Sequence, residues 1–190
     1  MVLGNEGHEA DHGIIEVFTN RSVGIRDEYD RRLSSASAGV DVLGFGLRSF
    51  REDYKDALAE LGSRTRVRLL LLHPEFPEAA SLADLRDKEE RNAAGSIRQD
   101  IREFLIQVVP IAQSPDVSIH LRLYKAIPSI NLFRIDDEMF WGPYLLETQS
   151  RNCPTLLLRR PSTLFDRFEL HFEKMWSPEW SVTPEEAGFA

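Results

Sequence analysis

The sequence predicts a single-domain α/β protein, with a mixed β-sheet flanked by helices on both faces. Three observations carry that expectation. Val67-Arg68-Leu69-Leu70-Leu71-Leu72 is nearly continuous in apolar residues, as suits a strand covered on both faces. Around it, β-type runs alternate with stripes at helical spacing, the order that builds parallel or mixed sheets. Beyond residue 116 the texture turns to period two, so further strands are expected to join the same sheet. At 190 residues, with 42% apolar and 28% charged, one hydrophobic core serves the chain.

Taken in order, residues 1–12 are polar and glycine-punctuated and read as a flexible leader. Ile14, Ile15, Val17 and Phe18 form a short β-run. Ile25, Tyr29, Leu33 and Ala36 then fall at helical spacing, with Gly39 as the stop. Val40 to Phe45 is a strand. Phe50, Tyr54, Ala57, Leu58 and Leu61 make a second helical stripe, with Gly62 read as its C-terminal glycine. After the strand at 67–72, His73-Pro74 opens a loop. Residues 82–92 are charge-rich and read as an exposed helix. Ile97, Ile101, Phe104, Leu105 and Val108 mark an amphipathic helix stopped near Pro110. Strands are expected at 117–124, 130–135, 139–146 and 155–158. A closing helix carries Leu164, Phe168, His171, Phe172 and Met175, with Thr163 and Asp166 at its start. Residues 13–177 thus form the domain, and 178–190 read as a loose tail.

The net charge of −8 argues against strong non-specific binding to nucleic acid or anionic membrane, which needs positive charge to release counterions. The arginines at 64, 66 and 68, and those at 159 and 160, are local exceptions that could hold one phosphate group, although such clusters are more often the solvated ends of elements. A single cysteine, Cys153, excludes an intrachain disulfide and points to a reducing compartment. With no signal-peptide or membrane-spanning pattern, a cytoplasmic location is expected.

His8-Glu9-Ala10-Asp11-His12 spells a zinc-protease string, whose chemistry needs both histidines on one face of a buried helix. Gly7 and Gly13 bracket it in a polar terminus, so it is read as accidental, and neither metal nor cofactor is expected. Gly44-Phe45-Gly46 lacks the third glycine of a dinucleotide fingerprint and reads as a tight turn.

The most informative stretch runs from Leu121 to Gly142. An apolar strand reaches Asp136-Asp137, and the return strand Met139-Phe140-Trp141 ends at Gly142. It resembles the segment of phospholipase-D-like (HKD) proteins in which H-x-K is followed, after four residues, by Asp, a turn and a strand ending near Gly-Ser. Counting back from Asp136 puts Asn131 at the family's lysine and Ser129 at its histidine. Pro143 replaces the usual serine. The order of elements before and after agrees with the family over roughly residues 13–177, including bacterial domains of this type attached to helix-turn-helix regulators.

The resemblance implies a cleft shaped for phosphodiesters, in which histidine attacks phosphorus and lysine holds the phosphate oxygens. It also implies that a short chain supplies the second motif by forming a homodimer. Ser129 lacks a base beside it in the motif, and Asn131 carries no charge, so the ordinary hydrolysis is not expected. The reading is therefore a catalytically degenerate module for binding, sensing or assembly in a bacterial cytoplasm. Its expected ligand is a phosphate-bearing small molecule or nucleotide, held by Ser129, Asn131, Asp136, His73 and His120. Two alternatives stand beside it. One is a phosphodiesterase or nuclease working through His73, at the end of a strand, or His120, on the polar face of an alternating one. The other is a purely structural dimerisation module, its cleft filled by Phe133 and Trp141.

Overall fold

A computed structural model of the protein describes residues 12–20 and 23–189. They build one eight-stranded sheet in the order β1-β7-β6-β5-β2-β3-β4-β8. The strands are β1 (Ile14–Phe18), β2 (Val40–Gly44), β3 (Val67–Leu72), β4 (Ile119–Tyr124), β5 (Ile130–Ile135), β6 (Glu138–Pro143), β7 (Thr155–Arg159) and β8 (Ser181–Val182). The helices are α1 (Val23–Ser35), α2 (Arg48–Tyr54), α3 (Leu58–Arg64), α4 (Leu82–Glu90), α5 (Ser96–Ala112) and α6 (Thr163–Trp176). β2, β3 and β4 run parallel, and every other pairing is antiparallel. The α/β class and the mixed sheet are as the sequence predicts, and β3 is buried along its whole length.

Helices cover both faces. On one, Tyr29 of α1 and Phe50 of α2 pack on Phe133, with ring centroids 4.8 and 5.6 Å away. On the other, α6 sets Phe168 against Trp141 at 4.5 Å. Phe133 and Trp141 therefore belong to the two packing layers and do not fill a cleft. Beneath α6 the sheet carries a charged row across three strands. Asp41 of β2 is buried between Arg68 of β3 and Arg134 of β5. From α6, Glu173 pairs with Arg68 and Glu169 with Arg134.

Several local expectations are corrected. β1 does not pair with β2; it forms the far edge of the sheet, antiparallel to β7, so only β2, β3 and β4 follow the strand–helix–strand rule. Gly62 lies inside α3 rather than ending it. A Cβ there would come within 2.6 Å of Ile119 Cγ1, so the glycine serves close helix–strand approach. α5 continues through Pro110 to Ala112, with the proline exposed in its final turn. Ser162, not Thr163, caps α6, its Oγ accepting from the Phe165 N–H at 3.2 Å. The segment read as a loose tail adds β8 to the sheet. Ser181 is buried there and accepts from Arg122 through both its hydroxyl (2.7 Å) and its carbonyl (2.6 Å).

Candidate functional site

Parallel strands expose their last residues at one end of a sheet, where the following loops gather side chains. Here Gly44, His73 and Lys125 stand at or just beyond the ends of β2, β3 and β4. β5 runs antiparallel to β2, so its first residues return to the same end, and Ser129 and Asn131 lie there. The structure thus brings together three of the five residues singled out in the sequence.

Asn131 faces Gly142 across the β5–β6 ladder and is buried. Its Nδ2 donates to the Gly142 carbonyl at 3.0 Å, so the amide is turned into the sheet. Gly142 is itself required, since a Cβ would meet the Pro154 carbonyl at 2.6 Å. Ser129 is exposed, and its carbonyl accepts from the Tyr144 N–H at 3.2 Å. Among the described residues no hydrogen bond joins the Ser129 hydroxyl to a histidine or carboxylate. His73 is half-buried, and its Nδ1 accepts from the Glu75 N–H at 3.3 Å. Burial, helped by the charge of Lys125, holds its pKa below the ordinary 6.5, so the ring is neutral at neutral pH.

A cation the sequence did not single out also reaches this end. Arg86 of α4 is buried, donating to Glu90 (2.9 Å), Glu89 (3.1 Å) and the carbonyls of Leu145 (3.1 Å) and Thr148 (3.0 Å). Its guanidinium lies 5.1 Å over the Tyr144 ring and 5.8 Å over Phe45. Asp87 beside it is buried too, accepting from the Ile97 N–H, and burial raises its pKa. The helix read as exposed is thus anchored by two inward charges. Charge-rich composition hid them, because only the loop at 143–149 explains why Arg86 points in. The Tyr124 hydroxyl is fully buried below, with no hydrogen-bond partner among the described residues, and desolvation raises its pKa well above the usual value.

Asp136 and His120 lie elsewhere. Asp136 closes the β5–β6 turn at the opposite end of the sheet, where its carboxylate accepts from the N–H groups of Ser37 (3.0 Å), Ala38 (2.7 Å) and Gly39 (2.9 Å). It fastens the loop that enters β2 and is not part of a ligand site with Asn131. His120 is exposed on β4, 3.3 Å from the Ser118 Oγ. It lines a cavity of about 480 Å³ together with Arg66, Arg68 and Arg122. The arginine cluster was visible in sequence; that Arg122 joins it depends on the β3–β4 register, which was not.

Of the zinc-protease string, residues 8–11 lie outside the described residues. Among those described, no group of three His, Cys, Asp or Glu is placed to hold a metal ion, and no helix is long and apolar enough to cross a membrane.

No family model matches this chain, and no curated protein matches it in sequence. Solved structures do resemble it. One is TrmBL2, an archaeal chromatin protein whose structure is described as showing a novel mode of DNA binding. The TM-score is 0.54 at 15% identity, over 89% of this chain and 54% of that one. Another is phosphatidylserine synthase from Haemophilus influenzae Rd KW20, with a TM-score of 0.54 at 10% identity, over 88% of this chain and 38% of that one. The chain spans about half or less of either neighbour, and at these identities the likeness is one of fold.

Proposed function

We propose that this chain is a phospholipase-D-like domain that has lost HKD hydrolysis and works as a homodimeric binding and assembly module. The fold it shares with a phosphatidylserine synthase, an enzyme of the phospholipase-D superfamily, supports the family reading. One observation carries the loss of activity. Where the family has lysine, the buried Asn131 amide is committed to the Gly142 carbonyl. Among the described residues the neighbouring Ser129 hydroxyl has no base bonded to it, and Arg86 is neutralised by Glu89 and Glu90. A nucleophile without a base and a clamp without free charge each forfeit a factor of about 10²–10⁴ in rate.

The expected result is no turnover of bis-p-nitrophenyl phosphate, phosphatidylcholine or DNA, with or without divalent metals. Turnover abolished by His73→Ala or His120→Ala would instead establish the phosphodiesterase reading and name its residue. The DNA binding described for the archaeal neighbour is not carried over, because a chain of net charge −8 is poorly suited to a polyanion.

Assembly is supported by what surrounds the motif. Ile127 is 80% exposed and Leu146 72%, on the two loops linked by the Tyr144-to-Ser129 backbone bond. A second copy facing this end would cover them, and neither loop offers an unpaired buried charge to resist it. Sedimentation velocity should show a homodimer at micromolar concentration. Ile127→Asp should weaken it at least about tenfold while circular dichroism stays that of a folded chain. A monomer throughout the accessible range would remove the assembly half of the proposal and leave the hydrolysis test standing.

A further inference from the structure

β4 is the last strand of the parallel set, and its pairing is incomplete. On the inner side Ser118 accepts from the Val67 N–H (2.8 Å) and Tyr124 from the His73 N–H (2.9 Å). The even-numbered residues thus bond to β3, and the odd-numbered ones turn their N–H and C=O groups the other way. On that outer side Lys125 donates to the Trp180 carbonyl at 2.7 Å, and β8 pairs with Leu123 and Tyr124 alone. Beyond Val182 the chain leaves the strand, the Thr183 N–H donating to the Glu186 carboxylate at 2.7 Å as a turn begins. The ladder with β4 stops at that turn. Among the described residues, Ile119 and Leu121 are left with outward backbone groups and no strand beside them.

The cavity of about 480 Å³ lies along this open edge, lined by Ile119 and Leu121 themselves. Its two sides differ. On the α6 side stand Arg66, His120 and Arg122; on the α5 side, Val109 and Ala112. Arg66 is exposed and has no carboxylate within ion-pair distance among the described residues. Arg122 is held at Nε and Nη2 by Ser181, which orients the guanidinium without neutralising it. Thr183, Pro184 and Glu185 complete the lining, and Glu185, its one acidic residue, is exposed.

We propose that this edge accepts an extended peptide segment of a partner protein as an added strand beside β4. Its acidic side chains would face Arg66, His120 and Arg122, and the alternating apolar ones would face Val109 and Ala112. A strand displays alternate residues to opposite faces, so one peptide of alternating character matches both walls while its backbone completes the ladder. The site lies away from the motif loops and does not depend on whether they dimerise.

A dye-labelled nine-residue peptide alternating Glu and Val serves as the probe, followed by fluorescence anisotropy with the full chain. Saturable binding is expected, with Arg66→Glu weakening it at least about tenfold and a Lys/Val peptide failing to bind. N-methylation of either the Glu or the Val amides should cost about tenfold in at least one case, because one set bonds to β4. No binding at millimolar peptide overturns the proposal. So does equal binding of every methylated peptide, or full displacement by inorganic phosphate or ATP, since either result means that the arginines read charge alone.

Discussion

Replacing Asp41 by asparagine should cost about 3–5 kcal/mol of folding stability, read as a lowered urea midpoint at unchanged slope. Asp41 is 1% exposed and holds Arg68 through two hydrogen bonds, Nε to Oδ1 at 2.6 Å and Nη2 to Oδ2 at 2.8 Å. Arg134 Nε lies 2.9 Å from the same carboxylate. Burial disfavours the charge of Arg68, but the hydrogen bonds it donates to Asp41 and Glu173 outweigh it and hold the pKa above the ordinary arginine value. An amide in place of the carboxylate leaves Arg68 and Arg134 with one glutamate each, Glu173 and Glu169, and a neutral group where both met a shared charge, and neither can shed its proton.

The triple variant Asp41→Leu, Arg68→Met, Arg134→Met should recover most of the loss, because removing a buried ionic group whole is often neutral. A loss under about 1 kcal/mol for the single variant would mean that water reaches the row. Acid should act on the same layer. The hydrogen bond from Arg68 lowers the Glu173 pKa from 4.5, so its contribution is full above that value and is lost as pH falls through the lower folded one.

The second large effect is expected at Asp136. Asp136→Ala should destabilise by about 3 kcal/mol, from two separable causes. The carboxylate accepts from the N–H groups of Ser37, Ala38 and Gly39, and charge-assisted bonds of this kind are worth about 1.5–3 kcal/mol. The residue also has φ +52°, a left-handed conformation that aspartate tolerates and that costs alanine about 1 kcal/mol. Asp136→Gly removes the bonds without the strain and should fall between alanine and wild type. Thermal melts of the variants check this order. If alanine and glycine prove equal, the backbone conformation contributes nothing. Wild-type stability in both would show that the loop before β2 needs no fastening.

That result bears on what a sequence motif conveys. Ser129, Asn131 and Asp136 were read as one constellation because a family pattern spaces them along the chain. β5 is extended, so five residues carry the last of them to the other end of the sheet. The spacing was legible; the separation of roles required the strand. β3 could be read directly, since a strand buried on both faces leaves an almost unbroken apolar run. β1 could not, because Ile14, Ile15 and Val17 satisfy any sheet edge and only β7 decides which. Arg86 and Asp87 were hidden for the opposite reason. In a helix dense with Asp, Glu, Lys and Arg, nothing local distinguishes the two charges that turn inward from those that meet water.

The strand order also sets the geometry of any tether. β1 and β8 are the two rims of an eight-stranded sheet. At about 4.8 Å per interstrand step the rims stand roughly 30 Å apart, and strand twist turns one well out of line with the other. A segment leading into β1 and one leading out of β8 therefore meet the sheet at opposite rims. A chain running directly from one rim to the other would need about ten extended residues. Two modules fused to the two rims would be held apart as if by a spacer bar.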